Sequence, residues 1–308
     1  MRRTDVVDDD GTWTGLTLEA EDRPRPGLCL FAGDGRMLLT QETRPVLLAA
    51  VTEDHCEVGF WRTDAYGSLL PPWRAGTARD LAGRPDRWAH RFAQCLAATT
   101  GGPLHDGRWL LSPQGPPHWS RGSEPAAEYW GQTIVEGHPG GCVDWFFLHG
   151  DWALLPLRAM PGPDDARVKA YRKQARDGVL PPVLLWWVSG LACHLILDGH
   201  ARLAAAVAES VEPPLLHLVR TAPGDEVTAG TRRAVEWYEA ELARFAALRA
   251  RHGDTVPDGA GSAGPALARR LEDLRTATRP TWAWPLPGGT EGWRRVVRET
   301  TGGAWDGR

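Results

Sequence analysis

A continuous apolar run at residues 183–188, Val-Leu-Leu-Trp-Trp-Val, constrains the fold of this chain more than any other feature. Six apolar residues in succession are typical of a strand that is buried on both faces. Two prolines precede the run, and Ser189 and Gly190 turn the chain after it. Residues 191–197 then predict a second strand, so the run belongs to a buried sheet.

One helix is predicted before these two strands in the sequence, and another is predicted after them. Asp164 or Asp165 can cap a helix that runs to about residue 177 and ends at Gly178. Residues 201–209 are good helix formers and follow the second strand after a break. Residues 152–157 and 215–219 predict two further strands. The expected order is therefore strand, helix, two strands, helix, strand.

The break at residues 198–202, Asp-Gly-His-Ala-Arg, is suited to binding an anion. A helix that begins directly after a turn presents free N–H groups and a positive dipole end. Gly199 allows close approach of the backbone to a ligand, and Arg202 can fork onto two phosphate oxygens. His200 can donate to a phosphate or move a proton near neutral pH. An internal ion pair of Arg202, with no hollow beside it, would contradict this prediction.

The same residues also have structural interpretations. Asp198 is suited to cap the following helix, Gly199 to form the turn alone, and Arg202 to pair with a neighbouring acid. His194 and Asp198 alternate along one strand, which is a spacing for two metal ligands on one face. Because two ligands at that spacing do not define a site, no metal site is predicted.

Residues 167–206, RVKAYRKQARDGVLPPVLLWWVSGLACHLILDGHARLAAA, contain a helix, a G-x-x-x-P approach to a strand, a hairpin and a G-x-x-R turn that opens a second helix. This pattern resembles the ParB/sulfiredoxin superfamily over residues 152–220. The resemblance implies a ParB/sulfiredoxin-like α/β domain that binds nucleotide phosphates. The turn differs by one residue from the D-G-H-H-R of the free serine kinases in that superfamily.

The resemblance also assigns residues on the first helix. Sulfiredoxins supply Lys, Ser and Thr from this helix to the phosphates, and these positions here are Arg167, Ala170 and Gln174. Arg167 and Gln174 are therefore further phosphate-binding candidates, whereas the hydroxyls are missing. His200 stands where sulfiredoxins have their catalytic cysteine, which argues against sulfinic acid repair. The turn lacks the G-E-R-R of ParB proteins, and no helix-turn-helix is predicted afterwards, which argues against partition.

The rest of the chain predicts an α+β protein with further parts around this domain. Residues 28–31 and 36–39 predict a hairpin, and residues 46–51 and 58–61 predict strands. Residues 87–99 predict a helix that Asp86 can cap. The predicted organisation is an N-terminal α+β domain of unknown type at 12–112, a Pro/Gly/Ser-rich linker at 113–127, the ParB/sulfiredoxin-like domain at 128–222, and C-terminal helices with a Trp/Pro-rich tail at 228–308.

Two helices are predicted in the C-terminal part. Residues 231–251 have one apolar stripe, which either docks on the domain or pairs with a second copy of the chain. Residues 252–264 predict a Gly-rich loop, and residues 265–276 predict a short helix with Pro265 in its first turn. The tail from Arg279 onward is expected to pack over another part of the protein.

Composition restricts the environment and the partners. The chain has 308 residues, a net charge of −4 and five widely spaced cysteines, so neither a disulfide framework, a zinc site nor a strongly basic nucleic-acid surface is expected. No run of about 18 apolar residues exists, so no membrane partner is expected. A cytoplasmic protein with reduced thiols is predicted.

Three functions remain open from the sequence. The first is an NTP-dependent phosphotransferase or nucleotide hydrolase that uses ATP, ADP or CTP, with a small molecule or protein as acceptor. His200 and Asp198 would assist proton transfer, and Mg²⁺ would offset phosphate charge, held by Asp198, Glu209, Asp164 or Asp165. The second is a non-catalytic nucleotide-sensing or scaffolding module. The third is a nuclease or DNA-associated protein, against which the acidic charge argues.

Overall fold

A computed structural model describes residues 1–54, 56–115, 126–145, 153–257, 259–276 and 279–307. Most of the predicted linker, residues 116–125, lies outside these ranges, as do residues 146–152. The described chain divides into two compact units, Met1–Arg220 with Pro280–Arg308, and Thr221–Arg279. The first unit contains both sheets, and the fold is of the α+β class, as predicted.

Thirteen strands and eight α-helices are formed by the described residues. The strands are β1 (Arg2–Val7), β2 (Trp13–Ala20), β3 (Leu28–Gly33), β4 (Arg36–Gln41), β5 (Arg44–Val51), β6 (Glu57–Arg62), β7 (Gly107–Ser112), β8 (Gly140–Asp144), β9 (Leu154–Pro156), β10 (Val183–Val188), β11 (Cys193–Asp198), β12 (Leu215–Thr221) and β13 (Trp284–Pro285). The helices are α1 (Ala75–Asp80), α2 (Pro85–Ala98), α3 (Trp130–Thr133), α4 (Ala166–Arg176), α5 (His200–Ala208), α6 (Gly224–His252), α7 (Ala260–Thr276) and α8 (Gly289–Thr301).

The first sheet has seven strands in the order β1-β2-β7-β12-β10-β11-β9. All six residues of β10 are buried, which confirms the prediction made from the continuous apolar run. Strand β10 pairs antiparallel with β11 and parallel with β12, so the predicted hairpin and the last strand are also confirmed. Because β10 and β12 are parallel, the chain between them must cross back to the end of the sheet at which β10 begins, and α5 is part of this crossover connection.

This sheet crosses the predicted domain boundary. Strands β2 and β7 belong to the predicted domain at 12–112, and β9 to β12 belong to the predicted domain at 128–222, yet all are members of one sheet. The sheet extends across this boundary because its central strands need neighbours on both sides to form hydrogen bonds with their backbone N–H and C=O groups. The N-terminal strands supply that continuation on the β12 side.

The second sheet has six strands in the order β13-β3-β4-β5-β6-β8. The predicted hairpin forms between β3 and β4, with Asp34 and Gly35 both at positive φ in the turn. One core includes Leu16 and Trp109 from the first sheet, Leu47 and Phe60 from the second, and Phe92 from α2. The two sheets therefore bury their apolar faces in a shared core.

Helix α8 covers the other face of the second sheet. Its Trp293 and Val297 are buried in a cluster with Phe31, Leu38 and Leu48 of that sheet. The Trp293 indole donates to the Met37 carbonyl at 3.2 Å. These contacts confirm that the Trp-rich tail packs over another part of the chain.

The second unit is formed by α6 and α7. Helix α6 begins earlier than predicted, and the predicted Gly-rich loop at 252–264 is partly wrong because α7 begins at Ala260. Val235 of the predicted apolar stripe is 38% exposed, whereas Leu242 and Phe245 are half-buried. In the described part of the chain, no helix combines the length and the apolar character that crossing a bilayer requires.

Helices α4 and α5 pack against each other beside the first sheet. Asp165 caps α4 by accepting from the backbone N–H of Arg167 and Val168, as predicted. Val168 of α4 is buried against Ala201 and Ala205 of α5, and these small side chains allow close approach of the helices. Glu209, directly after α5, accepts from Arg172 at 2.5 Å and from Arg176 at 2.8 Å. These contacts join the C-terminal half of α4 to the end of α5, so the two helices are held together along their length.

Candidate functional site

The turn after β11 depends on a glycine. Gly199 has φ of +103° and is the N-cap of α5, a left-handed conformation that favours glycine. A Cβ at this position would lie 2.8 Å from Arg202 Nη2 and 3.1 Å from Val183 Cα. The alternative in which Asp198 caps the helix is therefore wrong, because Gly199 occupies the capping position. No side chain of the described chain caps the first turn of α5.

Arg202 is ion-paired inside the protein. Its side chain is 3% exposed, and Nη2 donates to the Asp198 carboxylate one turn earlier. Its Nε is buried and makes no hydrogen bond to the residues the structure describes. The second oxygen of Asp198 accepts from the Ser68 hydroxyl at 3.0 Å. Asp198 therefore has two partners, whereas the guanidinium retains donors that are not used by Asp198.

A hollow of about 350 Å³ lies beside this ion pair. Four parts of the chain line it: residues of α4, the turn with the start of α5, residues 68–73 from the N-terminal half of the chain, and Arg158 shortly after β9. The lining residues are Ser68, Leu70, Pro71, Pro72, Trp73, Arg158, Arg167, Ala170, Tyr171, Gln174, Asp198, Gly199, His200, Ala201 and Arg202. The condition that would contradict a ligand role, an ion pair without a hollow, is not met.

All six candidate residues from the sequence line the same hollow. Asp198, Gly199, His200 and Arg202 come from the turn, and Arg167 and Gln174 come from one face of α4. Arg167 is exposed and forms no side-chain ion pair with a described residue. Gln174 Oε1 is buried without a hydrogen-bond partner in the described chain. Ala170 lies between them, where a hydroxyl is absent.

His200 is a buried, neutral imidazole. It is 1% exposed, and neither ring nitrogen has a hydrogen-bond partner among the described residues. Burial, followed by the nearby charges of Arg158, Arg202 and Arg62, lowers the pKa of His200 to about 3. The expectation that His200 moves a proton near neutral pH is therefore wrong. A neutral imidazole instead offers one N–H donor and one acceptor nitrogen.

Positive charge dominates this part of the protein. Arg158, Arg167 and Arg202 line the hollow, and Asp198 is the only acid among its described lining residues. Arg62 is 3% exposed, and its Nη1 donates to the Pro156 carbonyl at 2.9 Å. Burial lowers the pKa of Arg62 to about 10, so the group remains protonated near pH 7. The charge balance favours an anionic ligand.

Several of these residues were missed by sequence reasoning. Arg158 follows β9 almost directly, and a basic residue at the end of a strand near the turn was an available signal. Ser68 and Trp73 come from a region whose fold type the sequence does not reveal. Tyr66 fixes that segment, because its hydroxyl donates to the Leu197 carbonyl at 2.7 Å. Burial raises the pKa of the Tyr66 phenol well above its ordinary value.

Other acids considered for a metal ion have partners elsewhere. Glu209 binds Arg172 and Arg176, Asp165 caps α4, and Asp164 lies 3.0 Å from Lys169 Nζ. Within the described ranges, no group of three or more His, Cys, Asp or Glu side chains is arranged to hold a metal ion. Of these four acids, Asp198 alone lines the hollow.

His194 does not share the hollow with Asp198. Its Nε2 lies 3.1 Å from Nδ1 of His217, and its ring packs on Trp187 with centroids 4.8 Å apart. The expected alternation fails because the β10–β11 register shifts between Leu184 and Leu185, which pair with Asp198 and Ile196. One residue of β11 is left without a partner in β10 at this shift. It interrupts the two-residue period that would place the His194 and Asp198 side chains on one face of the strand.

Comparisons with protein-family models, with curated proteins and with solved structures find no match to this chain. The α+β class and the turn geometry are therefore established from the structure alone. The ParB/sulfiredoxin resemblance stays a prediction based on the sequence.

Proposed function

We propose that this protein binds the phosphates of a nucleotide in the hollow beside the 198–202 turn. One observation supports this most directly. Two polar side chains that line the hollow, His200 and Arg202, are at least nine-tenths buried and have ring or guanidinium nitrogens without partners in the described chain. Buried polar groups without partners are costly, and a bound anion would satisfy them.

The chemistry of the lining suits a phosphate. The uncapped first turn of α5 offers backbone N–H groups and the positive end of the helix dipole. Arg158 and Arg202 supply forked donors, and neutral His200 supplies a single N–H. Arg167 lies on α4 at the exposed side, where a longer polyphosphate would extend. A di- or triphosphate therefore fits this set of donors better than a single small anion.

Mg²⁺ would accompany the nucleotide and offset charge on its phosphates. Asp198 is the only carboxylate among the described lining residues, and its oxygens already contact Arg202 and Ser68, so phosphate oxygens and water would be the main ligands of this ion. Two of the functions left open by the sequence agree with this proposal, an NTP-dependent phosphotransferase and a non-catalytic nucleotide sensor. Ala170 favours the sensor, because α4 presents no hydroxyl to the phosphates at that position.

We assign the protein to the cytoplasm on the state of its thiols. All five cysteines are free, including the exposed Cys56 and Cys142. Exposed free thiols persist in a reducing compartment and are readily oxidised outside it.

The test is a thermal-shift and calorimetric comparison of ATP, ADP, CTP and GTP, with and without Mg²⁺. A ligand that binds the native state raises the melting temperature by mass action. We expect at least one nucleotide to raise it for the wild type and much less for Arg158→Ala. Arg294→Ala, on the exposed face of α8, is the matched control and should respond like the wild type. If none of the four nucleotides binds the wild type in either assay, the proposal is wrong.

A further inference from the structure

A serine hydroxyl lies at the mouth of the hollow in contact with a carboxylate. Ser68 is exposed and lines the hollow, and its Oγ lies 3.0 Å from Asp198 Oδ1. The same hydroxyl also lies 3.1 Å from the Leu70 carbonyl, so its one proton has two acceptors within reach. Among the described residues that line the hollow, Ser68 is the only one whose hydroxyl contacts a carboxylate.

Both oxygens of this carboxylate have partners. Arg202 binds the oxygen of Asp198 that Ser68 does not contact, so the carboxylate is held in a fixed position beside the serine hydroxyl. An ionised carboxylate that accepts from a hydroxyl can take its proton as a general base. The oxygen of Ser68 would then be a nucleophile in a hollow that is lined by Arg158, Arg202 and His200.

We infer that Ser68 is a phosphoryl acceptor and that the protein phosphorylates itself at this residue. This inference rests on the proposed nucleotide binding. A bond forms between Ser68 Oγ and the γ-phosphorus of a nucleoside triphosphate, and the bond from that phosphorus to the β,γ-bridging oxygen breaks. The serine proton passes to Asp198, and a nucleoside diphosphate leaves with the bonding electron pair.

The surrounding cations suit both the reaction and its product. Arg158 and Arg202 would balance the charge on the transferred phosphoryl group, which is the main requirement of phosphoryl transfer. After transfer, the phosphoserine would lie among the same guanidinium groups, which bind phosphate oxygens in forked geometry. Tyr66 is unsuited as the acceptor, because it is buried and its hydroxyl donates to the Leu197 carbonyl.

A second contact of the same type provides a control. The Thr290 hydroxyl donates to the Asp34 carboxylate, also at 3.0 Å, but these two residues lie outside the hollow. A hydroxyl hydrogen-bonded to a carboxylate is present at both places, whereas the arginines of the hollow are present only around Ser68. Thr290 should therefore receive no phosphoryl group.

The experiment incubates the full chain with Mg²⁺ and ATP labelled in the γ-phosphoryl group, and maps the label by mass spectrometry. If another nucleotide binds more tightly, its labelled triphosphate is used instead. We expect label on Ser68 of the wild type and of Thr290→Ala, and none at this position in Ser68→Ala. Ser68→Thr should retain label, because it keeps the hydroxyl. Asp198→Asn should slow labelling about 100-fold, the usual contribution of a general base.

Thermal shifts on the same samples separate the two proposals. Failure of every nucleotide to bind the wild type would overturn the proposed function together with this inference. Nucleotide binding without label, or with label on another residue such as Tyr171, would overturn only the role of Ser68. Unchanged melting of Ser68→Ala in the absence of ligand would show that its lost label is not caused by unfolding.

Discussion

Arg202 and Asp198 form an ion pair across one turn of backbone, and both also line the hollow beside that turn. The pair does not saturate the guanidinium, which has five N–H donors in a planar fork. It also fixes the direction of the arginine before any ligand arrives, so little side-chain entropy remains to be lost on binding. An internal partner for Arg202 is thus compatible with a binding role when a hollow lies next to it.

The closeness of Gly199 to Arg202 leads to the first prediction. In Gly199→Ala, the new Cβ would lie 2.8 Å from Arg202 Nη2, so the guanidinium must shift. The left-handed backbone adds about 1 kcal/mol of strain, and the crowding adds about 2 kcal/mol. We expect the free energy of unfolding to fall by about 3 kcal/mol in urea titrations, and nucleotide-induced stabilisation to weaken.

Gly178→Ala is the control for that variant. Gly178 also has positive φ, +68°, but apart from its chain neighbours no described residue lies within 4 Å of the position of its Cβ. It should therefore lose only the strain contribution, about 1 kcal/mol. Equal losses in the two alanine variants would show that Gly199 is required only for its backbone conformation.

Arg158 leads to the second prediction. It lines the hollow, is half-buried, and makes no hydrogen bond or ion pair with residues in the described ranges. Because no folded-state partner is lost, Arg158→Ala should melt within about 1 °C of the wild type, as surface changes usually do. Loss of one charged hydrogen bond to phosphate should weaken nucleotide binding by about 1.5 kcal/mol, roughly tenfold in Kd by calorimetry. A large drop in stability with unchanged affinity would contradict this role.

The local elements of the site were predictable from sequence. Strand β10 and its hairpin follow from a continuous apolar run, and α4 follows from the capping residue Asp165 and the terminating Gly178. These signals act within a few residues, so the sequence contains them directly. The grouping of Arg167 and Gln174 on one face of α4 follows from the helical period in the same way.

The remaining parts of the site depend on contacts that are distant in sequence. Ser68 meets Asp198 across 130 residues, and no local pattern indicates that contact. The buried, neutral state of His200 also arises from tertiary packing, so its ordinary pKa was misleading. Similarly, the first residues of α7 are small and are typical of a loop. Their helix propensity is weak, but packing of α7 against α6 stabilises the helix.

The ion pair itself leads to the third prediction. Arg202→Ala would leave the Asp198 carboxylate, 12% exposed, without its cationic partner. Breaking a buried pair in this way typically costs about 3 kcal/mol. The double variant Arg202→Ala/Asp198→Ala removes the stranded charge, and it should be more stable than Arg202→Ala alone. If chemical denaturation finds the double variant less stable than Arg202→Ala, the carboxylate is not the source of the loss.

The buried imidazole gives the fourth prediction, a dependence of stability on pH. Folding lowers the pKa of His200 from its ordinary value of 6.5 to about 3, mainly by burial. Between these values the unfolded chain binds a proton at His200 and the folded chain does not. The free energy of unfolding must therefore fall as the pH is lowered through this window.

The contribution of His200 to this pH dependence is measured by comparing the wild type with His200→Gln, because glutamine does not titrate. The slope of the free energy of unfolding against pH should be shallower in the variant, by at most about 1.4 kcal/mol per pH unit. Burial also lowers the pKa of His217 to about 3. Because His217 is present in both proteins, its contribution cancels when the two slopes are subtracted. Above pH 7 the imidazole of His200 is neutral in both states, so the two slopes should coincide there. Parallel slopes between pH 4 and 6 in urea titrations would show that His200 is protonated in the folded protein, and the hollow would then hold one more cation than its geometry indicates.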